Sequence, residues 1–464
     1  MSRNNGGSQS SESTSNMQDL IRSSEIIDEE PELTTDIEQT NMSEKGFFDR
    51  LYMKVTLGEK IPSILMLSIS SFTSTFLCLP WMVSQLGLIL SFLFLLLFFF
   101  INGFTMHLLG KLVDKSNVGN SYYEMISIKL SAKFGVIFEA ANFIYLLSSV
   151  MIMDYFSYKF CLQIFGLFAK DDENDWVISV LILALLFVCQ GWMMFFYDNK
   201  FIFVSFLQCF CICALSVAML VKIFVDLSNI RNNNKEMIKF ETKAVYCFPL
   251  LVLIFNNHND YFLFFKNMKM RTYKRVSAVI SWAYLIIFSF AFFFTVIGYF
   301  FHLSFPEVAT QSISSIISFH FPASIDFKKS AVFYSIVAIN FIMIFSMQFF
   351  VCYKINKFNE ELRVIIKPKT SYPKTLPIIS KLSPTFISLL PIPFIRNIIT
   401  LIGICGSLGS TIPVVILPLL AFTVRAVKNP SLIMVNYAII LIFFVLCLMC
   451  FVFVLIQSWK IEED

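Results

Sequence analysis

Long apolar segments separated by short polar stretches fill most of this chain of 464 residues. A helix needs about 20 apolar residues to cross the hydrocarbon core of a bilayer, so segments of that length predict membrane-spanning helices. The ninth segment is the least regular, because Pro384, Pro391, Pro393 and Arg396 interrupt it. We count about eleven segments, at 61–80, 82–109, 134–168, 176–197, 201–226, 244–265, 277–303, 330–353, 376–402, 404–424 and 431–458. The pattern predicts an all-α integral membrane protein.

Composition agrees with this fold class. Hydrophobic residues make up 57% of the chain and charged residues 15%, and 55 residues are Phe, which is more apolar surface than a soluble fold can bury. The four histidines are scattered, and no zinc-protease helix, nucleotide-binding loop or Ser/His/Asp order stands out, so we predict neither an enzyme nor a metal or cofactor site. Nucleic-acid binding is not expected either, because no folded domain is basic.

The charged residues predict the orientation in the membrane. Residues 1–44 hold ten acids against two arginines, so we expect residues 1–50 to form a disordered acidic tail. If the tail is cytoplasmic, the loops on its side hold nineteen Lys and Arg residues and the opposite side holds eight. Basic loops favour the cytoplasm, which places the N-terminus there. An odd number of spans then places residues 459–464 on the other side.

Two of the apolar segments contain polar interruptions. The sixth is interrupted by Phe255–Asp260 (FNNHND), and the first has hydroxyl residues from Ser68 to Thr75 followed by Pro80. Polar groups and loosened backbone are costly in hydrocarbon, so broken helices persist where they line a cavity or pack on protein. The alternatives are a loop outside the membrane for the sixth segment, and an unbroken helix with back-bonded hydroxyls for the first.

The two interruptions lie five spans apart, and this spacing predicts an internal repeat. Because five is odd, two halves of five spans point in opposite directions through the membrane. In such an inverted 5+5 repeat the discontinuous helices 1 and 6 meet near the midplane. Amide ends of half-helices suit a carboxylate, and carbonyl ends suit an ammonium group. An amino acid carries both groups.

Several motifs resemble the amino acid/auxin permease family, a family of amino acid transporters. The resemblance covers about residues 55–458. The motifs are Thr73–Pro80 followed by Gln85–Gly87, Ser121–Glu124, Phe255–His258, Gly298–Phe301, and Gly406–Pro413, the last being like the loop and Pro-containing start of span ten. The resemblance implies a leucine-transporter-type fold and amino acid transport coupled to H⁺ or Na⁺. Thr73 and Thr75 stand where the family has glycines.

Candidate site residues come from both interruptions and from two other spans. Asp154 is a candidate for ion coupling, because an acid in an apolar segment must face the protein interior. Asn340 and Ser346 are two further candidates, because their side-chain oxygen atoms suit a cation. Asp154 can alternatively pair with Lys159. His258, with an ordinary pKa of about 6.5, can carry protons or hold the bend. The expected substrate-binding residues are Ser71, Thr73, Ser74, Thr75, Asn256, Asn257 and His258.

Together these features predict a secondary active transporter that moves amino acids by alternating access, coupled to H⁺ or Na⁺. We expect residues 55–458 to form the transporter domain, as a monomer in a vacuolar or other internal membrane, or in the plasma membrane. The alternative is a transporter-fold amino acid sensor that signals through its N-terminal tail.

Overall fold

Every regular element that the computed structural model describes is helical, as the apolar pattern predicts. The structure describes residues 60–72, 74–114, 122–168, 175–195, 201–225, 237–238, 240, 242–258, 261, 272–304, 331–366, 385–395, 398–426 and 430–460. The helices are α1 (Lys60–Ser71), α2 (Leu79–Asp114), α3 (Tyr122–Lys129), α4 (Ala132–Phe168), α5 (Asp175–Phe195), α6 (Phe201–Val225), α7 (Cys247–Ile254), α8 (Tyr273–Ser304), α9 (Ala331–Ile366), α10 (Thr385–Phe394), α11 (Ile398–Val424) and α12 (Pro430–Lys460).

Six helical stretches in this part of the chain are long and apolar enough to cross a membrane. They are Thr75–Val113, Ala132–Leu162, Trp176–Met193, Tyr273–Leu303, Ile398–Val424 and Pro430–Ile456. Shorter apolar helices cover Lys60–Ile69, Ser205–Ala214, Ala244–Ile254 and Thr385–Phe394. The all-α class is confirmed, whereas eleven spans and an inverted repeat stay predictions. The acidic tail, residues 1–50, and residues 461–464 lie outside the described residues.

The boundary between the first two predicted spans lies further along the chain than the sequence indicates. A 3₁₀-helix, Ser74–Cys78, leads directly into α2, which continues through Pro80. The break comes at Gly87, whose φ of 70° and ψ of 175° interrupt α2. Glycine adopts such a backbone conformation without a Cβ clash. Pro80 is tolerated because it sits in the first turn of a helix, where its missing N–H has no helical partner to lose.

The predicted boundary between spans nine and ten, at residues 402–404, is wrong. Helix α11 runs through it, with π-helical parts at Cys405–Ser410 and Ile412–Ile416. Residues Gly406–Pro413, which resemble a loop and the start of a span, therefore lie inside a helix. The Thr411 hydroxyl donates to the Gly406 carbonyl five residues earlier, at 2.8 Å. Wider turns of this kind keep the helix continuous through a sequence rich in glycine and serine.

Helix α11 is a central element, and α12 covers the outside. In the most apolar stretch of α11, 78% of the residues are buried, against 22% for α12. Large exposed apolar side chains such as Leu441 and Phe444 lie along α12. An apolar surface of this kind suits contact with lipid.

Three glycines let helices approach one another closely. A Cβ on Gly406 would overlap the Pro249 carbonyl group of α7. A Cβ on Gly298 of α8 would lie 2.6 Å from the Cα of Pro80, and one on Gly409 would lie 2.7 Å from the Cα of Tyr145 in α4. The two interrupted helices, α1–α2 and α7, are thus held against α8 and α11 through backbone contact.

We expect Gly406→Ala to destabilise the protein, because the new methyl group must displace the backbone of α7. Overpacking of this kind costs about 1–3 kcal/mol. Gly191→Ala in α5 is the matched control, because a Cβ there has nothing within 4 Å. The measurement is the apparent melting temperature of purified protein in detergent. Equal melting temperatures for the two variants would contradict the close approach at Gly406.

Candidate functional site

Helices α1 and α7 end at the two predicted interruptions, and the interruptions are in contact. Helix α1 ends at Ser71 and α7 ends at Ile254. The side-chain amide of Asn257 donates to the Ser71 hydroxyl and, at 3.3 Å, to the Leu67 carbonyl oxygen. The Ser71 hydroxyl donates to that carbonyl at 3.0 Å. A hydrogen-bonded group of three residues therefore joins spans one and six.

The backbone from Phe255 to Asn257 leaves the regular helical hydrogen-bond pattern. The Asn256 N–H donates to the Leu253 carbonyl at 3.2 Å, and the Asn257 N–H donates to the Phe255 carbonyl at 3.1 Å. The hydroxyl of Tyr284 in α8 also donates to the Phe255 carbonyl, at 3.1 Å. The Phe255 and Tyr284 rings stack with their centroids 6.3 Å apart. Helix α8 thus supplies a partner to a carbonyl group at the interruption.

Asn256 connects the second interruption to the π-helical part of α11. Its side-chain amide donates to the Ser410 hydroxyl at 3.1 Å, and both residues are buried. A π-helical turn shifts the following side chains relative to a regular α-helix and is frequent at functional sites. Ser410 is not among the residues predicted to bind substrate, although it lies in one of the family-like motifs. Only the fold brings it to Asn256.

His258 is held by a hydroxyl group of α2. Its Nε2 lies 3.0 Å from the Thr105 Oγ1, which also lies 3.0 Å from the Asn102 carbonyl oxygen. A hydroxyl has a single hydrogen, so all three groups are satisfied when Thr105 donates to the carbonyl and accepts from the His258 Nε2–H. The Nδ1 atom is then an acceptor. It is buried and has no hydrogen-bond partner among the described residues.

The first interruption is packed by aromatic rings of α8. The Phe72 ring meets the Phe290 ring edge-on, with centroids 4.8 Å apart, and the Phe76 and Phe294 rings meet at 6.4 Å. Thr75 is also buried here. These contacts pack the chain that follows Ser71 against α8. Thr73 and the side chain of Ser74, both predicted to bind substrate, lie outside the described residues.

A comparison with known protein families identifies the family of this chain. The family model described as transmembrane amino acid transporter protein matches residues 60–460. The chain belongs to this family. A search of curated proteins gives no match. The resemblance found in the motifs is therefore confirmed, and amino acid transport across a membrane is the activity of the family.

A second polar centre in this amino acid transporter family member surrounds Asp154 of α4. The carboxylate is fully buried. Its Oδ1 accepts from the Gln190 side chain at 2.6 Å and from the Gln348 side chain at 3.2 Å, and its Oδ2 accepts from the Ser388 hydroxyl at 2.8 Å. The Gln190 amide also donates to the Gln348 amide oxygen at 2.6 Å. Four helices, α4, α5, α9 and α10, therefore meet at one carboxyl group.

The pairing of Asp154 with Lys159, weighed from the sequence, does not occur. The Lys159 ammonium instead lies 5.5 Å from the centroid of the Tyr155 ring. Asp154 and Lys159 are five residues apart, so their side chains lie on different sides of α4. The sequence indicated that Asp154 faces the interior, but its partners come from segments distant in the chain.

The two other ion-coupling candidates, both in α9, are not hydrogen-bonded to Asp154. Ser346 is buried, and its hydroxyl donates to the Met343 carbonyl of its own helix at 2.9 Å. Asn340 is buried, and its Oδ1 has no partner within the described part of the chain. The structure therefore separates the three candidates instead of joining them in one site.

The described residues offer no conventional metal centre. No three side chains among their His, Cys, Asp and Glu residues lie together in a way that could hold a metal ion. The cysteines are free thiols, and several donate to backbone carbonyls, as Cys447 does to Ser407 at 3.0 Å.

We expect Tyr284→Phe to lower the stability of the protein by about 1 kcal/mol, because the Phe255 carbonyl loses a hydrogen bond in a buried setting. Tyr437→Phe is the matched control, since Tyr437 is 45% exposed on α12. Apparent melting temperatures of the purified variants test this. A Tyr284→Phe variant as stable as the control would show that the Tyr284 hydroxyl does not support the interruption.

Proposed function

We propose that this protein is a secondary active transporter that moves amino acids across a membrane by alternating access, driven by an H⁺ or Na⁺ gradient. The observation that carries the proposal is the hydrogen-bonded contact of Asn257 with Ser71 and Leu67, in a chain of the amino acid transporter family. This contact joins two interrupted helices. Interrupted helices at membrane depth are where transporters hold substrate and ions.

The helix ends at this contact suit the two charged groups of an amino acid. Helices α1 and α7 end at Ser71 and Ile254, and their last carbonyl groups carry partial negative charge. These ends favour an ammonium group. The chain resumes as helix from Ser74, and its first N–H groups carry partial positive charge, which favours a carboxylate. The substrate can thus be recognised without a buried charged side chain.

Side chains around the contact add hydrogen-bonding groups for the substrate. In our proposal the His258 Nδ1 accepts a hydrogen bond from the substrate ammonium group, because Thr105 already occupies Nε2. Asn256, held by Ser410, and Asn257 set the width of the site. Ser71 and Thr75, both buried, are further substrate-binding residues in our proposal. Thr73 and Ser74 are included on the sequence alone. Thr75 stands where the family has a glycine, and in our proposal its larger side chain favours a small substrate.

We base the proposed oligomeric state, membrane, orientation and absence of a cofactor on the sequence alone. The transporter works as a monomer in a vacuolar or other internal membrane or in the plasma membrane, with its N-terminus in the cytoplasm and without a cofactor. Among Asp154, Asn340 and Ser346, we assign ion coupling to Asp154, because its carboxylate connects four helices.

Uptake into proteoliposomes tests the proposal. We expect the purified protein to accumulate at least one class of labelled amino acid from a mixture when an H⁺ or a Na⁺ gradient is imposed. Asn257→Ala should lower the initial rate by about 5- to 150-fold, since losing a buried hydrogen-bond donor costs about 1–3 kcal/mol. Asn436→Ala, at a partly buried position of α12, is the matched control and should transport normally. Binding without accumulation under every gradient would contradict a transporter and favour the sensor.

Removing residues 1–44 separates the two functions further. A transporter should keep its rate of amino acid uptake, because the helices that form the site begin after this segment. A sensor that signals through the tail should keep amino acid binding and lose its protein partner. The measurement compares uptake and binding by the full-length and shortened chains at equal protein density. Loss of uptake with intact binding would contradict the transporter.

A further inference from the structure

A buried carboxyl group ties four helices together away from the contact between α1 and α7. The side chain of Asp154 in α4 accepts hydrogen bonds from Gln190 in α5, Gln348 in α9 and Ser388 in α10. All four side chains are at most 1% exposed. Every hydrogen-bond partner of the carboxylate among the described residues is a neutral group. A buried carboxylate without a positive partner is costly, and this cost favours the neutral, protonated form of the group.

No charged or titratable side chain in the described part of the packed helices pairs with Asp154. Helix α10 contributes only apolar, hydroxyl and proline residues. The Cys352 thiol donates to the Gln190 carbonyl at 3.6 Å, and the Lys354 ammonium donates to the Tyr145 hydroxyl at 3.1 Å. The titratable groups in the neighbouring turns of α4, α5, α9 and α11 are Tyr155, Tyr158, Lys159, Cys161, Cys189, Cys352, Tyr353, Lys354 and Cys405.

The hydrogen bonds around Asp154 suit a proton better than a metal cation. The nitrogen of the Gln190 amide lies 2.6 Å from two acceptors, the Asp154 Oδ1 and the Gln348 Oε1. The N–H groups of Gln190 and Gln348 therefore point at Oδ1. Cations such as Na⁺ bind where oxygen atoms converge, and here hydrogens with partial positive charge occupy those directions.

The same cluster accommodates both charge states of Asp154 without moving a heavy atom. In the charged state the Ser388 hydroxyl donates to Oδ2 at 2.8 Å. In the neutral state the proton sits on Oδ2 and donates to the Ser388 oxygen, while the Ser388 hydroxyl turns to the Thr385 carbonyl at 2.9 Å. Oδ1 keeps both amide donors in either state. Only one hydroxyl hydrogen changes its acceptor.

From this geometry we infer that Asp154 binds and releases the coupling proton of the transporter, and that the Ser388 hydroxyl switches its acceptor as the proton comes and goes. The inference rests on the proposed function and names H⁺ as its driving ion. The step adds one proton from water to a carboxylate oxygen on one side of the membrane and returns it to water on the other.

Proton binding changes how strongly α10 is held to α4. A hydrogen bond from a hydroxyl to a carboxylate is stronger than one between neutral groups, so protonation weakens the link between Ser388 and Asp154. The Oδ1 bonds to α5 and α9 weaken for the same reason. Protonation therefore favours a conformation in which α4 separates from α5, α9 and α10. Differential stabilisation of two conformations is what coupling between a proton and a substrate requires.

The experiment measures substrate movement and proton movement together in proteoliposomes of the full chain. A pH-sensitive dye is enclosed, and labelled amino acid uptake is followed under a pH gradient and, separately, as exchange with unlabelled amino acid inside. We expect the wild type to acidify the lumen as substrate enters. Asp154→Asn, which resembles the neutral acid, should keep exchange and lose both pH-driven accumulation and substrate-dependent proton entry.

The remaining outcomes distinguish failure of the inference from failure of the proposed transport function. Accumulation by Asp154→Asn under a pH gradient, at the wild-type level, would overturn the inference. Accumulation by the wild type under a Na⁺ gradient, without proton movement, would also overturn it and leave the proposed transport function intact. Absence of accumulation by the wild type under every gradient would instead overturn the proposed function.

A second variant, Ser388→Ala, tests proton binding at Asp154 if Asp154→Asn fails to fold. Ser388→Ala removes a donor that stabilises the carboxylate, so the external pH for half-maximal uptake should rise by about one unit. Ser216→Ala is the matched control, because the buried Ser216 hydroxyl donates to its own helix at Ile212 and does not contact Asp154. Its pH profile should coincide with that of the wild type. An unshifted profile for Ser388→Ala would overturn the inference.

Discussion

Backbone and polar groups that leave a helix at membrane depth need partners from the protein, because the hydrocarbon core offers none. This constraint organises the centre of the molecule. The interruption after Ile254 is supported by Tyr284 at the Phe255 carbonyl, by Ser71 and Leu67 at Asn257, and by Ser410 at Asn256. These partners come from three helices, α8, α1 and α11, so the interruption requires those helices to be in place.

Close helix packing makes these partners available. Glycines at 298, 406 and 409 let backbone meet backbone at Pro80, Pro249 and Tyr145, and phenylalanine rings fill the remaining space around the first interruption. The polar centre at Asp154 obeys the same constraint at a different place, with four helices sharing one carboxyl group. In our proposal the two centres are coupled, because the proton and the amino acid each change the relative free energies of the same two conformations.

The sequence predicted the parts of this arrangement that depend on local composition. Apolar length predicted the helical class, and the polar residues 255–260 and 68–75 predicted where α7 and α1 would end. Contacts between distant segments were not predictable: Ser410 and Thr105 reach the site through the fold, and the partners of Asp154 lie 36, 194 and 234 residues away. The helix boundary at 402–404 was mistaken because glycine and serine, which often end helices, here occupy π-helical turns.

The central claim is that an amino acid binds between the two interrupted helices, beside Ser71 and Asn257. The most direct measurement is a cryo-electron microscopy map of the full-length protein in lipid nanodiscs, with and without the amino acid that uptake assays select. Our account predicts additional density within hydrogen-bond distance of the chain after Ser71 and of residues 255–258. Density for the amino acid at a separate surface, with Asn257 still bonded to Ser71 and Leu67 and no ligand beside them, would contradict it.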